Sequence, residues 1–162
     1  MRSLTLICAG LATLALALGY ASLALWAGIG IDIAIGLLWL AGDWRGWDWA
    51  DGMCLTGWVG LATFGTWIEL PAGWMLIGVV AALAVWDLGH FARRLRDAGT
   101  QAAELARAHL RQLAIVAGAG LLLGGIALGT RVDLTFGWVL LTAVLALVGL
   151  SRLIRAGGSE QH

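Results

Sequence analysis

The sequence predicts an all-α integral membrane protein with six transmembrane helices arranged as three αα-hairpin repeats, both termini on the cytoplasmic side. Three observations predict it. The 162 residues are 60% hydrophobic and only 12% charged, with a mean hydropathy of +0.88, whereas a soluble domain carries about 25% charged residues. A chain so poor in charge cannot cover its own surface with polar groups in water. Secondly, the arginines fall almost entirely on one side of the predicted bilayer. Thirdly, a nine-residue pattern recurs three times, at each predicted outer turn. The same composition excludes a disordered chain, and a formal net charge of zero excludes a nucleic-acid binder.

The elements follow in order along the chain. A spanning helix needs about 20 mainly apolar residues. The first run, Leu4 to Ile31, contains no charge. Its Met-Arg start and small residues near Gly19-Tyr20-Ala21 have the look of a signal peptide. The apolar stretch continues well beyond such a segment, so it is read as an uncleaved first helix. Further runs cover Ile33–Trp47, Met53–Ile68, Ala72–Phe91, Leu113–Thr130 and Leu134–Leu150. The second and third are short, and Asp48-Trp49-Ala50-Asp51-Gly52 between them reads as a polar turn. The hairpins then cover about 3–47, 53–98 and 100–155, in a single membrane domain over 1–162. Residues 92–112 form a cytoplasmic helical extension and 156–162 a flexible tail.

With six helices, Arg2, Arg45, Arg93, Arg94, Arg96, Arg107, Arg111, Arg152 and Arg155 lie on one side and only Arg131 on the other. That asymmetry places the termini and the 92–112 connection in the cytoplasm. Neither Lys nor Asn occurs. Both have AT-rich codons, which points to a GC-rich bacterial genome and hence a bacterial inner membrane. Trp26, Trp67, Trp74 and Trp138 fall near outer helix ends, and Trp44, Trp47, Trp49, Trp58 and Trp86 toward inner ends, as an interfacial belt requires. Trp39 alone falls near mid-helix. A tryptophan-lined pigment site is the alternative. Cys8 and Cys54 form no motif and read as packing residues.

The repeated pattern is Gly-x-x-[Ile/Val]-[Asp/Glu]-[Ile/Leu]-x-x-Gly, at Gly28–Gly36, Gly65–Gly73 and Gly129–Gly137. Its first Gly suits the end of an outgoing helix, and its acid suits the start of the returning one, where it can accept backbone N–H groups. Pro71 fits a first helical turn. The functional alternative is that Asp32, Glu69 and Asp133 converge as a cation or proton site. Three hairpins of equal topology are not the inverted repeat common among secondary transporters.

On the cytoplasmic side, Gly99-Thr100 is expected to turn the chain between two helical arms, which sets His90 and His109 at equal height. Asp87 lies one turn from His90. These three have the ingredients of a partial metal site, but no fourth ligand accompanies them. Interfacial hydrogen bonding is the plainer reading, and no cofactor is expected. Arg93, Arg94, Arg96, Arg107 and Arg111 can bind anionic lipid headgroups or an acidic partner, beside their topological role. Gly42/Gly46, Gly120/Gly124 and Gly125/Gly129 have the spacing that lets membrane helices approach closely, within the chain or in a homo-oligomer.

No nucleophile–base pair, phosphate loop or dinucleotide fingerprint is present. The sequence therefore predicts a non-catalytic accessory, assembly or structural subunit of a membrane complex, with the bilayer and a membrane-protein partner or a second copy as its contacts. The alternatives are a small oligomeric transporter or channel using the three acids, and a metal- or cofactor-binding redox protein using Asp87, His90 and His109.

Overall fold

The computed structural model describes residues 2–95 and 102–129. Among these residues every regular element is helical: α1 Arg2–Ala21, α2 Trp26–Arg45, α3 Asp48–Trp67, α4 Ala72–Leu95 and α5 Ala102–Gly129. Four of them, α1, α2, α4 and α5, are long and apolar enough to cross a membrane. α3 has the same length as α1 and α2, 20 residues, with acids in its first turn. The expected sixth helix, the third copy of the repeat and Asp133 lie outside the described residues, as do Arg96 and the 99–100 turn.

Helices α1 to α4 run alternately up and down and close into a ring. α1 packs against α2 and most extensively against α4, α3 fills the place between α2 and α4, and α5 lies on the outer face of α4. Side chains fix the antiparallel registers. Thr13 faces Gly36 between α1 and α2, Leu16 faces Gly78 between α1 and α4, and Leu76 faces Gly124 between α4 and α5.

The interior is built from small residues. Ala9, Ala12, Ala15, Ala62, Ala81 and Ala82 are buried, with Leu16, Tyr20, Trp39, Trp58, Met75 and Leu88 filling the space between them. Large aliphatics such as Ile7, Leu14, Leu37, Ile115, Leu122 and Leu123 stand outward, each more than half exposed. In water this would be an untenable apolar surface. In lipid it is the expected arrangement, because helices gain nothing by hiding Leu from hydrocarbon and associate through close backbone approach. The structure thus agrees with a membrane protein.

The turns explain where the helix boundaries differ from expectation. All three described turns use one device. A residue in the left-handed region ends the helix, and the next N–H reaches back five residues to a carbonyl. Ala24 (φ 53°) precedes Leu25 N–H donating to the Tyr20 carbonyl at 3.1 Å; Gly46 (φ 69°) precedes Trp47 donating to Gly42 at 2.9 Å; Glu69 (φ 62°) precedes Leu70 donating to Gly65 at 2.9 Å. This is the Schellman closure. The first turn is therefore Ser22–Leu25, and the Gly28–Gly36 pattern lies wholly inside α2. Of the two described copies the second, Gly65–Gly73, sits at a turn, and there Glu69 closes α3 rather than capping α4. Pro71 stands directly before α4, its carbonyl accepting from Trp74 N–H at 3.0 Å.

The second connection also shifts. Asp48–Gly52 is not a turn but the first turn of α3, where acids favour the positive end of the helix dipole. Gly46, expected to serve helix packing, is instead the left-handed cap of α2, while Gly42 does meet Ala50 of α3 closely. On α5, Gly124 approaches Leu76, whereas Gly120, Gly125 and Gly129 face open space among the described residues.

Candidate functional site

Polar groups inside the bundle gather at two heights. The first lies at the end bearing Arg2, Arg93 and Arg94, called here the arginine end. Asp51, on the first turn of α3, is buried there. Its Oδ1 accepts from the Trp39 indole N–H of α2 at 3.0 Å, and its Oδ2 accepts from Arg93 Nη1 of α4 at 2.6 Å. Arg93 also lies 3.9 Å from Asp48, and its Nη2 is 3.0 Å from His90 Nδ1, which is itself 3.2 Å from the Trp86 carbonyl oxygen. Gly89 admits this arrangement, since a Cβ there would come within 2.8 Å of Asp51 Oδ2. A polar cavity of about 490 Å³ opens beside the cluster, lined by Asp43, Trp47, Asp48, Asp51 and Arg93. Nearby, Arg2 pairs with Asp43 at 3.2 Å, tying α1 to α2.

The same end carries the contact between α4 and α5. His109 Nε2 lies 2.7 Å from Asp87 Oδ2, and the His109 ring stacks on Phe91 at 3.8 Å between centroids. A cleft of about 520 Å³ runs along these helices, lined by Leu83, Trp86, Asp87, His109, Gln112 and Val116 among others. The three residues read from sequence as a partial metal site are thereby divided. Asp87 and His109 meet, whereas His90 belongs to the Arg93 cluster and packs against Trp86 at 4.5 Å. Among the described residues no group of three or more His, Cys, Asp or Glu side chains is placed to hold a metal ion.

The second height lies nearer the opposite end, which carries the Ser22–Leu25 and Ile68–Pro71 turns and is called here the turn end. Asp32, the seventh residue of α2, is fully buried, and neither carboxyl oxygen has a hydrogen-bond partner among the described residues. The Trp58 indole of α3 lies beside it, 1% exposed, its Nε1–H also unpartnered because it falls outside hydrogen-bond geometry. Tyr20 of α1 approaches from the turn end, its O–H donating to the Leu61 carbonyl at 2.8 Å. Its ring packs over Gly28, where any Cβ would collide with it.

Of the three acids singled out from sequence, Asp32 is interior, Glu69 is exposed at its turn, and Asp133 lies outside the described residues. Among the arginines, Arg93 is consumed by Asp51, whereas Arg94, Arg107 and Arg111 are exposed. Trp26, Trp44, Trp67 and Trp49 stand outward at helix ends, as an interfacial belt requires. Trp39 and Trp58 do not, since both are buried and turned to an interior carboxyl. Sequence reading missed Asp51, Tyr20 and the inward role of Trp58. The available signal was spacing: Asp32 and Trp39 are seven residues apart on α2, and so share one face. Both cysteines are free, with Cys54 buried near the Ile35 carbonyl at 3.6 Å.

No protein-family model, curated protein or solved structure shows significant similarity to this chain.

Proposed function

We propose that this chain is a small polytopic protein of a bacterial inner membrane that works without catalysis, as an accessory or assembly subunit of a membrane complex. The observation that carries the reading is the division among the arginines. Arg2 and Arg93 are spent on ties between helices, whereas Arg94, Arg107 and Arg111 stand exposed and in no ion pair among the described residues. They occupy the end of α4 and the start of α5. At about 1.5 Å per residue the 28 residues of α5 extend about 42 Å, against about 30 Å of hydrocarbon. One end of α5 therefore reaches past the lipid tails, and its charged first turns are the end suited to do so.

The six-span topology with cytoplasmic termini belongs to the same proposal. It is supported by the nine-to-one distribution of arginines and by the length of α3, which suits a span. Exposed guanidinium groups at that boundary suit an acidic partner surface or anionic headgroups, each contact worth about 1 kcal/mol near a charged membrane.

Extraction in mild detergent followed by native mass spectrometry tests the reading. The expected result is a stoichiometric protein partner that is lost when Arg94, Arg107 and Arg111 are replaced together by Gln. A chain that emerges alone, or a partner indifferent to those replacements, refutes it. The transporter reading has one observation in its favour, the burial of Asp32.

A further inference from the structure

Asp32 presents an accounting problem. Its carboxyl is fully enclosed between α1, α2 and α3, and no arginine or histidine pairs with it among the described residues. A bare carboxylate in such a place carries a prohibitive desolvation cost, so its charge must be matched. The surroundings decide by what. A metal cation needs several oxygen ligands. Here α3 offers an indole N–H, which is a donor and repels a cation, and helical backbone carbonyls are already engaged. α1 offers the Tyr20 hydroxyl, the titratable group facing Asp32 from that helix, its proton committed to Leu61. Among the described residues no second carboxylate, histidine or cysteine joins them into a ligand set. A proton needs none of this, since a carboxylic acid is neutral by itself.

We propose that Asp32 is a proton-binding site inside the membrane, loading and releasing one proton on its carboxyl between Tyr20 and Trp58. The parts have separable roles. The Trp58 N–H is poised to meet the carboxylate when the proton leaves, needing only a small rotation to enter hydrogen-bond geometry. Tyr20 is a positioning residue: seated on Gly28, one helical turn from Asp32 on the same face of α2, it stands between the carboxyl and the turn end. Release of its bond to Leu61 would open that side. Along the same face of α2, two turns in the other direction, Trp39 donates to Asp51. This face of α2 therefore meets an acid toward each end of the bundle, Asp51 of α3, which is paired, and its own Asp32, which is not. This inference is independent of the subunit reading, because it concerns the bundle interior and not the arginines.

Isotope-edited infrared spectroscopy of the full chain in lipid nanodiscs tests it, with carboxyl-labelled aspartate and a pH titration. The expected result is one carboxylic-acid carbonyl band of an aspartate in a dry setting, which disappears as pH rises. The band should be absent in Asp32→Asn and retained in Asp43→Asn. Trp58→Phe guards against misfolding of the first variant: it keeps the band, moves its frequency because the N–H beside the carboxyl is gone, and shifts its disappearance to higher pH because the carboxylate has lost that donor. Three results overturn the proposal. One is a band that persists in Asp32→Asn. Another is an Asp32 band that never responds to pH, which marks a purely structural acid. The last is a band lost on adding sodium at constant pH, which marks a metal-cation site.

Discussion

Replacing Arg93 with Ala strands the Asp51 carboxylate at a place where its side chain is only 10% exposed. Removing one partner of a fully buried ion pair costs about 3–5 kcal/mol, because the remaining charge stays unpaired and desolvated. Arg93 itself is 28% exposed, so its removal lets some water reach Asp51, and about 2.5 kcal/mol is the better expectation. The converse change is milder. Asp51→Asn keeps an oxygen for the Trp39 N–H at the 3.0 Å contact and leaves a guanidinium that can turn to solvent, at about 1 kcal/mol. In the double variant no charge is stranded, and about 1.5 kcal/mol is expected.

The two single changes would sum to about 3.5 kcal/mol, so the cycle predicts a coupling of about 2 kcal/mol, well within the range for residues in direct contact. Reversible unfolding in mixed micelles, followed by tryptophan fluorescence, measures it. Arg93→Ala alone should shift the folding equilibrium by somewhat less than a hundredfold. Gly89→Ala should mimic part of the loss, since its methyl group intrudes on Asp51 Oδ2. A coupling below about 0.5 kcal/mol, or Asp51→Asn costing more than Arg93→Ala, would refute the assignment of this pair as the tie joining α2, α3 and α4.

The turns give a second expectation. Ala24 and Glu69 sit in the left-handed region at a cost of about 1 kcal/mol each, so Ala24→Gly and Glu69→Gly should both raise the unfolding midpoint; a fall after Glu69→Gly would mean that its carboxyl does more than close a helix. For α5, His109→Ala should lower its amide-exchange protection selectively, leaving α1 to α3 unchanged, because the Asp87–His109 contact joins only α4 and α5. Uniform loss across all helices would show that α5 is integral to the bundle instead of appended to α4.

Much of the architecture was legible in the sequence because lipid imposes a simple rule, and apolar runs of spanning length announce themselves. What failed was the placement of ends. Ser22–Leu25 contains neither Gly nor Pro and lies within an uncharged run, so nothing local marks it; the turn exists because Ala24 accepts a left-handed conformation that its residue type disfavours. The Gly28–Gly36 match to the Gly65–Gly73 turn was a coincidence of composition in a chain with 24 glycines. Charges misled in the opposite sense at Asp48 and Asp51, which looked like loop and are helix. The interior site was harder to see, because Asp51 and Arg93 are 42 residues apart and meet only through the antiparallel register of α3 and α4. His109 meets Phe91 and, one turn back on the same face of α4, Asp87, whereas His90 is turned toward Trp86 and Arg93.

The two interior acids also differ in what holds the helices around them. At the arginine end Arg2–Asp43 joins α1 to α2, Trp39–Asp51 joins α2 to α3, and Asp51–Arg93 joins α3 to α4. Three of the four adjacent pairs around the ring are tied there by a polar contact, two of them to a charge in a poorly hydrated place. At the turn end, among the described residues, the side-chain tie that matches these is Tyr20 to the Leu61 carbonyl, a neutral bond across the diagonal from α1 to α3. Small residues at the helix contacts favour close approach at both ends, but dispersion resists separation gradually, whereas an ion pair in low dielectric resists it steeply. Thermal opening of the bundle is therefore expected at the turn end before the arginine end. Asp32 lies on the side that opens, and Asp51 on the side that does not. An acid that must exchange a proton needs occasional access, and an acid that serves as a strut needs none; the distribution of ties gives each what its role requires.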